Sequence, residues 1–222
     1  MADWDERYRH GEHATVEPSR LLVRAVELFA SQVEGGSLAG RRALDLACGA
    51  GRHALFLAAQ GMRVTAVDAS RVGVELTLAR ARERNLSLDA RVADLERGGF
   101  VIEEGAYDLV CDFYYLQRDL FPRMRAGLKA GGLLVAAIHM FDESPQAKPM
   151  NPDFLLRPGE LREAFGGLEI LHYRETAGHD RDAGQHTRRS AELIARRRTS
   201  RSQKPEAGSW NERGVDRFTS DS

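Results

Sequence analysis

The sequence predicts an α/β fold: a doubly wound, mostly parallel sheet of seven strands whose last strand is antiparallel. Three observations lead there. From Ala43 to Ile138, short apolar runs alternate with segments of helical period, the pattern of repeated strand–helix units joined by right-handed crossovers. The first run passes through Gly49-Ala50-Gly51 directly into a helix, where a backbone without Cβ atoms can approach a ligand closely. Near the end, Leu168–Glu175 and Arg189–Arg196 are two strand-like runs joined by a polar turn, hence a hairpin and an antiparallel final strand.

Length and charge bound what such a fold does. At 222 residues, with 32 basic against 33 acidic residues, the chain gives no reason to expect a polyanion as main ligand. Nucleic acid is not expected as a partner; a small molecule is, with the chain acting as a monomer or homodimer. No run approaches the ~20 apolar residues of a membrane span. Met1–Glu6 lacks the basic flank and apolar stretch of a signal peptide, so a cytoplasmic location is expected. Cys48 and Cys111 fall in or next to apolar runs and are expected to be reduced and buried. Residues 1–198 read as one domain, with 1–17 as a possible flap, 141–158 as a possible lid and 199–222 as a flexible tail rich in Arg, Ser, Gly and Glu.

The elements follow in order. Trp4 to His13 is polar and aromatic, either a loose end or a flap; Trp4 and Tyr8 need a surface to lie on, the flap or the sheet edge. Pro18-Ser19 starts a helix whose Leu21, Leu22, Ala25, Leu28 and Phe29 recur at helical spacing up to Val33. Glu34-Gly35-Gly36-Ser37 breaks it. The first strand, Ala43–Cys48, places Asp45 at its end, and a helix opens at Arg52. Gly49-Ala50-Gly51-Arg52-His53-Ala54 also satisfies the loose dinucleotide pattern. Asp45, however, would repel a pyrophosphate and attract a cation.

Met62–Asp68 is the second strand; a carboxylate at its end accepts hydrogen bonds from ribose hydroxyls or caps the next helix, a task Ser70 can also perform. A helix over Arg71–Arg84 precedes a third strand, Leu88–Asp94, which again ends in Asp. Tyr107–Tyr115 is the fourth strand and its exit, so Phe113, Tyr114 and Tyr115 fall at the crevice where the strand order reverses. A helix over Asp119–Lys129, a Gly131-Gly132 turn and an apolar fifth strand lead to His139, a general base or a hydrogen-bonded structural residue. The proline-containing loop 139–158 follows, then a short helix over Arg157–Phe165. His172, His179 and His186 contain no tight ligand pair, so no metal is expected.

Asp45-Leu46-Ala47-Cys48-Gly49-Ala50-Gly51 resembles the first motif of class I S-adenosylmethionine-dependent methyltransferases, whose cofactor carries an ammonium and a sulfonium. Lys129, Gly131-Gly132 and the hydrophobic run after them resemble that family too. With Trp4-Asp5-Glu6-Arg7-Tyr8, Val67-Asp68 and Leu156–Leu161, the chain is similar to the small methyltransferases related to tellurite-resistance and thiopurine enzymes, over about residues 3 to 197. The resemblance implies a Rossmann-like sheet of order 3-2-1-4-5-7-6. It implies S-adenosyl-L-methionine as cofactor, held by Asp45, Ala47, Cys48, Gly49, Gly51, Asp68, Ala69, Asp94, Leu95 and Asp112, with Asp94 at the adenine amino group. It implies a small acceptor, a thiol or a selenium or tellurium oxyanion, beside the catalytic candidates His139, Tyr114 and Tyr115. Arg7 or Arg118 would hold an anionic acceptor or lie on the surface. Asp112-Phe113-Tyr114-Tyr115 lacks both prolines of the acidic-Pro-Pro-aromatic motif, which argues against nucleobase or amide acceptors. Three other functions stay open: an NAD(P)-dependent oxidoreductase with Asp45 turned away from the cofactor, a non-catalytic S-adenosylmethionine-binding protein, and a nucleic-acid or protein methyltransferase.

Overall fold

The computed structural model describes residues 4–12, 15–143, 149–176 and 188–199. Its strands are β1 (Arg42–Leu46), β2 (Arg63–Asp68), β3 (Asp89–Val92), β4 (Tyr107–Phe113), β5 (Leu128–His139), β6 (Glu169–Glu175) and β7 (Ser190–Arg196). Its helices are α1 (Trp4–Arg9), α2 (Arg20–Ala30), α3 (Arg52–Ala59), α4 (Arg71–Glu83), α5 (Leu120–Gly127) and α6 (Glu160–Ala164). The strands form one sheet of order β3-β2-β1-β4-β5-β7-β6, parallel from β3 to β5 and antiparallel where β7 meets β5 and β6. The expected order and the antiparallel β7 are both present.

Alternation along the central strands builds two cores. Leu44, Leu46, Val110, Leu134 and Ala136 face one side, against residues of α5 and α6 such as Phe121, Met124, Leu161 and Phe165. Ala43, Leu109, Cys111, Leu133 and Val135 face the other, against α2 and α3. A strand buried on both faces has no reason to alternate in polarity, which is why β4 is buried at every position. Short β3, at the sheet edge, has only one partly buried residue, Ala90.

Local chemistry sets the helix ends. The Ser19 hydroxyl accepts from the Leu21 N–H at 3.2 Å and starts α2; Ser70 accepts from the Gly73 N–H at 3.0 Å and starts α4. Helix α2 stops at Ala30 rather than Val33, where Ser31 turns its hydroxyl back onto the Leu28 carbonyl at 2.9 Å. The helix expected through Lys129 stops at Gly127, and β5 already begins at Leu128, opposite Tyr107. Gly132 permits this course: a Cβ there would lie 3.0 Å from the Tyr107 carbonyl oxygen. Lys129 is thereby brought to Asp108, Nζ to Oδ2 at 2.7 Å.

Asp108 ties the lower rim of the sheet together. Its buried carboxylate also accepts from Arg41 Nη1 at 3.1 Å and from the Arg42 N–H at 2.8 Å. Burial alone would raise its pKa, but Lys129, the Arg42 N–H and Arg41 hold it below the usual carboxylate range.

Part of the segment expected as a lid is fixed. Leu155 and Leu156 are buried, Leu156 bridges to Met140, and Arg118 holds the Asp153 and Leu155 carbonyls at 2.9 and 3.1 Å. Residues 144–148, the turn 177–187 and the tail from 200 onward lie outside the described residues. Asp108→Ala is expected to lower the unfolding free energy by about 1–2 kcal/mol, because it leaves the Arg42 N–H without its acceptor while Arg41 and Lys129 keep access to water; urea denaturation of the variant against the parent measures this.

Candidate cofactor and acceptor site

Three left-handed positions within five residues turn the chain after β1: Ala47 (φ 50°), Gly49 (φ 55°) and Gly51 (φ 83°). Gly51 ends the turn as the N-cap of α3 and carries no side chain to occupy the first N–H groups of that helix. The turn is packed from outside. A Cβ on Gly51 would come within 2.5 Å of Thr77 Oγ1, and one on Gly49 would collide with the Tyr8 hydroxyl. Thr77 donates to the Gly49 carbonyl at 3.1 Å and Arg80 to the Ala50 carbonyl at 2.8 Å.

Asp68, at the end of β2, holds the turn from the other side. Oδ2 accepts from the Gly49 N–H and Oδ1 from the Ser70 N–H, both at 2.7 Å. Each oxygen keeps a further lone pair for a hydroxyl. Capping and ligand binding are therefore not alternatives, since Ser70 performs the capping.

Asp45 is 1% exposed; its Oδ1 accepts from the Cys111 thiol at 3.3 Å. Oδ2 has no hydrogen-bond partner among the described residues, and the same holds for Oδ1 of buried Asp112 on the neighbouring strand. Burial pushes the Asp45 carboxyl up to about 7. Burial raises Asp112 well above the carboxylate range too, and Asp45 adds to the effect. Two orphaned acidic oxygens beside a glycine cradle fit a cationic ligand and disfavour a pyrophosphate.

The remaining predicted cofactor residues spread outward. Asp94 Oδ1 accepts from the Glu96 and Arg97 N–H groups at 3.0 and 3.2 Å, and Ala69 is exposed. Leu95 is buried, its carbonyl held by Gln117 Nε2 at 3.2 Å, while Gln117 Oε1 accepts from the Tyr115 hydroxyl at 2.6 Å. Tyr115 is thus bound to the β3 exit and packs on the α5 and α6 core. Tyr114 goes to the opposite face, with the α2 and α3 core. Cys48 is buried, and burial raises its thiol well above the ordinary value, as a structural side chain requires.

Tyr114 adopts φ 66°, a left-handed conformation that is costly for a bulky residue. Its ring stacks on His139 at 4.7 Å, and the Arg52 guanidinium lies 5.9 Å from its centre. Burial pushes its phenol up to about 12. On the other side Phe113 meets the His53 ring at 3.9 Å. His53, Phe113, Tyr114 and His139 therefore make a row of rings over the ends of the strands.

Two of these contributors were not singled out from sequence. His53 is 3% exposed, held neutral by burial, and its Nε2 has no partner among the described residues; its signal was its place two residues after Gly51, on the inner face of α3. Tyr8 was read as part of a flap over the site or as an aromatic packed at the sheet edge, with no contact to the glycine turn assigned to it. It covers Gly49 and Gly73 because Asp5 docks α1 on the start of α4, accepting from Ser70 Oγ at 2.5 Å and from the Val72 N–H at 3.2 Å. The opening segment thus lies across the ligand turn. Neither arginine suggested for an acceptor anion lies open: Arg7 pairs with Glu12 at 2.8 Å and lies over Trp4, and Arg118 pairs with Glu160 at 2.6 Å.

The family model described as tellurite resistance protein TehB matches residues 31–191. The chain belongs to the TehB family. Hemagglutinin 1 of Eikenella corrodens is 30% identical to it over 184 residues, 79% of this chain and 57% of that protein. The probable S-adenosyl-L-methionine-dependent methyltransferase TehB of Haemophilus influenzae is 28% identical over 170 residues, 71% of this chain and 57% of that one. The chain spans a little over half the length of these relatives. The crystal structure of TehB from Haemophilus influenzae superposes with a TM-score of 0.67 at 22% identity, over 87% of this chain and 67% of that one, and so shares the fold. Among the described residues of this TehB-family chain, no group of three or more His, Cys, Asp and Glu side chains is placed to hold a metal. His179 and His186 lie outside the described residues. No described helix is long and apolar enough to cross a membrane.

Because the Asp45 carboxyl is raised from 3.8 to about 7, folding favours its protonated form. That contribution is complete below pH ~4 and is lost as the pH rises through 7. The ligand-free protein is expected to lose about 2–4 kcal/mol from this group between pH 5 and 8. Asp45→Asn should flatten that slope in denaturation curves taken across the range.

Proposed function

We propose that this TehB-family chain binds S-adenosylmethionine at the turn after β1 and transfers its methyl group to a small-molecule acceptor by in-line displacement. The supporting observation is the pair of buried carboxylate oxygens, Asp45 Oδ2 and Asp112 Oδ1, that lack partners among the described residues beside the Gly49–Gly51 cradle. In this reading Asp45 takes the ammonium and Asp112 adds negative potential. The backbone from Ala47 to Gly51, Cys48 included, lies along the amino-acid end. Asp68 takes the ribose hydroxyls with Ala69 beside it, and Asp94 and Leu95 flank the adenine. Tyr115, bound through Gln117 to Leu95, belongs with this group rather than with the acceptor.

When bound, the cofactor supplies a methyl group activated by the adjoining sulfonium. The chain contributes orientation and exclusion of water. Helix α1, seated by Asp5 on α4, covers the turn, and the rings of Phe113, Tyr114 and His139 wall the acceptor side. A thiolate, or a selenium or tellurium oxyanion, attacks without a dedicated base. His139 serves as proton acceptor for an acceptor that arrives protonated. The family description, tellurite resistance, supports the oxyanion class, and Arg52 beside Tyr114 supplies a compensating positive charge.

Isothermal titration at pH 7.5 is expected to show micromolar binding of S-adenosylmethionine and S-adenosylhomocysteine and no binding of NAD(P). Asp68→Ala should weaken both by about 1–3 kcal/mol through the lost charged hydrogen bonds. Binding of NAD(P) alone would overturn the reading. Formation of S-adenosylhomocysteine with thiols, selenite and tellurite then ranks the acceptors, and His139→Gln should slow thiols at least tenfold while sparing tellurite.

A further inference from the structure

Asp45 and Cys111 are register partners across β1 and β4, 1% and 0% exposed. The Cys111 sulfur lies 3.3 Å from Asp45 Oδ1. Burial, with Asp45 beside it, keeps the thiol protonated, so sulfur is the donor in this pair. A carboxylate is planar, and fixing one of its oxygens fixes the direction of the other. The second oxygen, Oδ2, is the one without a partner among the described residues.

We propose that Cys111 is a positioning residue: its thiol, acting through Asp45, pins one carboxylate oxygen and so presents the other to the cationic end of the bound cofactor. This rests on the role given to Asp45 above. A thiol suits the task because it is a weak donor. It orients the carboxylate without spending its negative charge, as an arginine or lysine would. The other charged and titratable groups around Asp45 are Arg52 on α3, Cys48 in the turn, Asp68 on β2 and Asp112 on β4, with the backbone of Ala54 at the start of α3 also acting on it. Only Arg52 among these is a fixed cation, and it is shared with the Tyr114 ring. Cys111 is also the side chain that the structure shows bonded to Asp45.

The bond has a second effect that makes the role measurable. It favours the ionised carboxylate, so removing it raises the proton affinity of Asp45 in the ligand-free protein. A cationic ligand then has to displace that proton, and binding weakens most at low pH.

The test is titration with S-adenosylhomocysteine, which keeps the amino-acid end, from pH 6 to 8.5. The proteins are the parent, Cys111→Ser, Cys111→Ala, Cys111→Val and Asp45→Asn, with thermal melts to establish folding. Cys111→Ala is expected to weaken binding at least threefold at pH 8.5, where Asp45 is largely ionised and lost orientation is what is read, and, for a shift of one unit, by about a further fivefold at pH 7 and tenfold at pH 6. Cys111→Ser, which restores a donor, should stay within twofold of the parent throughout. Cys111→Val keeps the volume without the donor and replaces Cys111→Ala should that variant not fold. No weakening at pH 8.5, or a serine variant as weak as the alanine variant, would overturn the proposal, and so would weakening confined to low pH, which would leave Cys111 acting on the Asp45 proton alone. Asp45→Asn separates the two readings: parent-like affinity and pH profile in that variant would remove Asp45 from the cofactor site altogether, whereas a weak Asp45→Asn with parent-like Cys111 variants would reject only the role of Cys111.

Discussion

A carboxyl group with one oxygen unpaired among the described residues, held out of water in the middle of the sheet, is the constraint around which this chain is arranged. Asp45 lies on a central strand, with β2 on one side and β4 on the other, under a helix whose inner face is apolar. Such a group is costly when ionised in the empty protein, and burial answers that cost by favouring its protonated form. The thiol of Cys111 turns it, the backbone of the glycine turn bends over it, and the two cores on either face of the sheet supply the stability that makes it tolerable. The same residue destabilises the empty protein and gives the site its preference for positive charge. In free-energy terms, a cation of the kind proposed for this site would replace a proton on a carboxyl already stripped of water.

The sheet was legible because its central strands are buried on both faces; β4 is buried throughout and apolar but for Asp108 and Asp112, the later part of β5 is apolar up to His139, and only the β6–β7 pair breaks the parallel pattern. Boundaries were less legible. Whether Lys129 closes a helix or opens a strand depends on a long-range partner, Asp108, that no local window contains. The site divides in the same way. Asp45, Asp68 and the glycines announce themselves by position at strand ends. Tyr8 and His53 do not, since their placement follows from Asp5 docking on α4 and from the inner face of α3 lying over Phe113. Tyr114 and Tyr115 are adjacent in sequence, yet the left-handed backbone at Tyr114 sends them to opposite faces of the sheet. A single φ angle decided which tyrosine lies beside His139.

Helix α1 shows how a weak element can be placed at the centre of a site. Six residues are too few to be helical alone in water. The order of Trp4–Arg9 therefore comes from its contacts: Asp5 on the start of α4, Tyr8 over the glycine turn and Arg7 across Trp4. Its stability is borrowed from the very turn it covers. Any change in the turn is felt at once by the cover, and the cover needs no hinge of its own.

The left-handed backbone of Tyr114 has a consequence for how this protein can change. The conformation costs a bulky residue about 1–2 kcal/mol and is held in place by the Tyr114 N–H on the Ala137 carbonyl at 2.7 Å and by the stack on His139. Glycine would relieve the strain and remove the ring in one step. Deleting a ring that packs on the core and stacks on His139 costs more than the strain it relieves, so packing by itself keeps a large ring at this position, and the wall proposed for the acceptor is maintained by the stability of the fold.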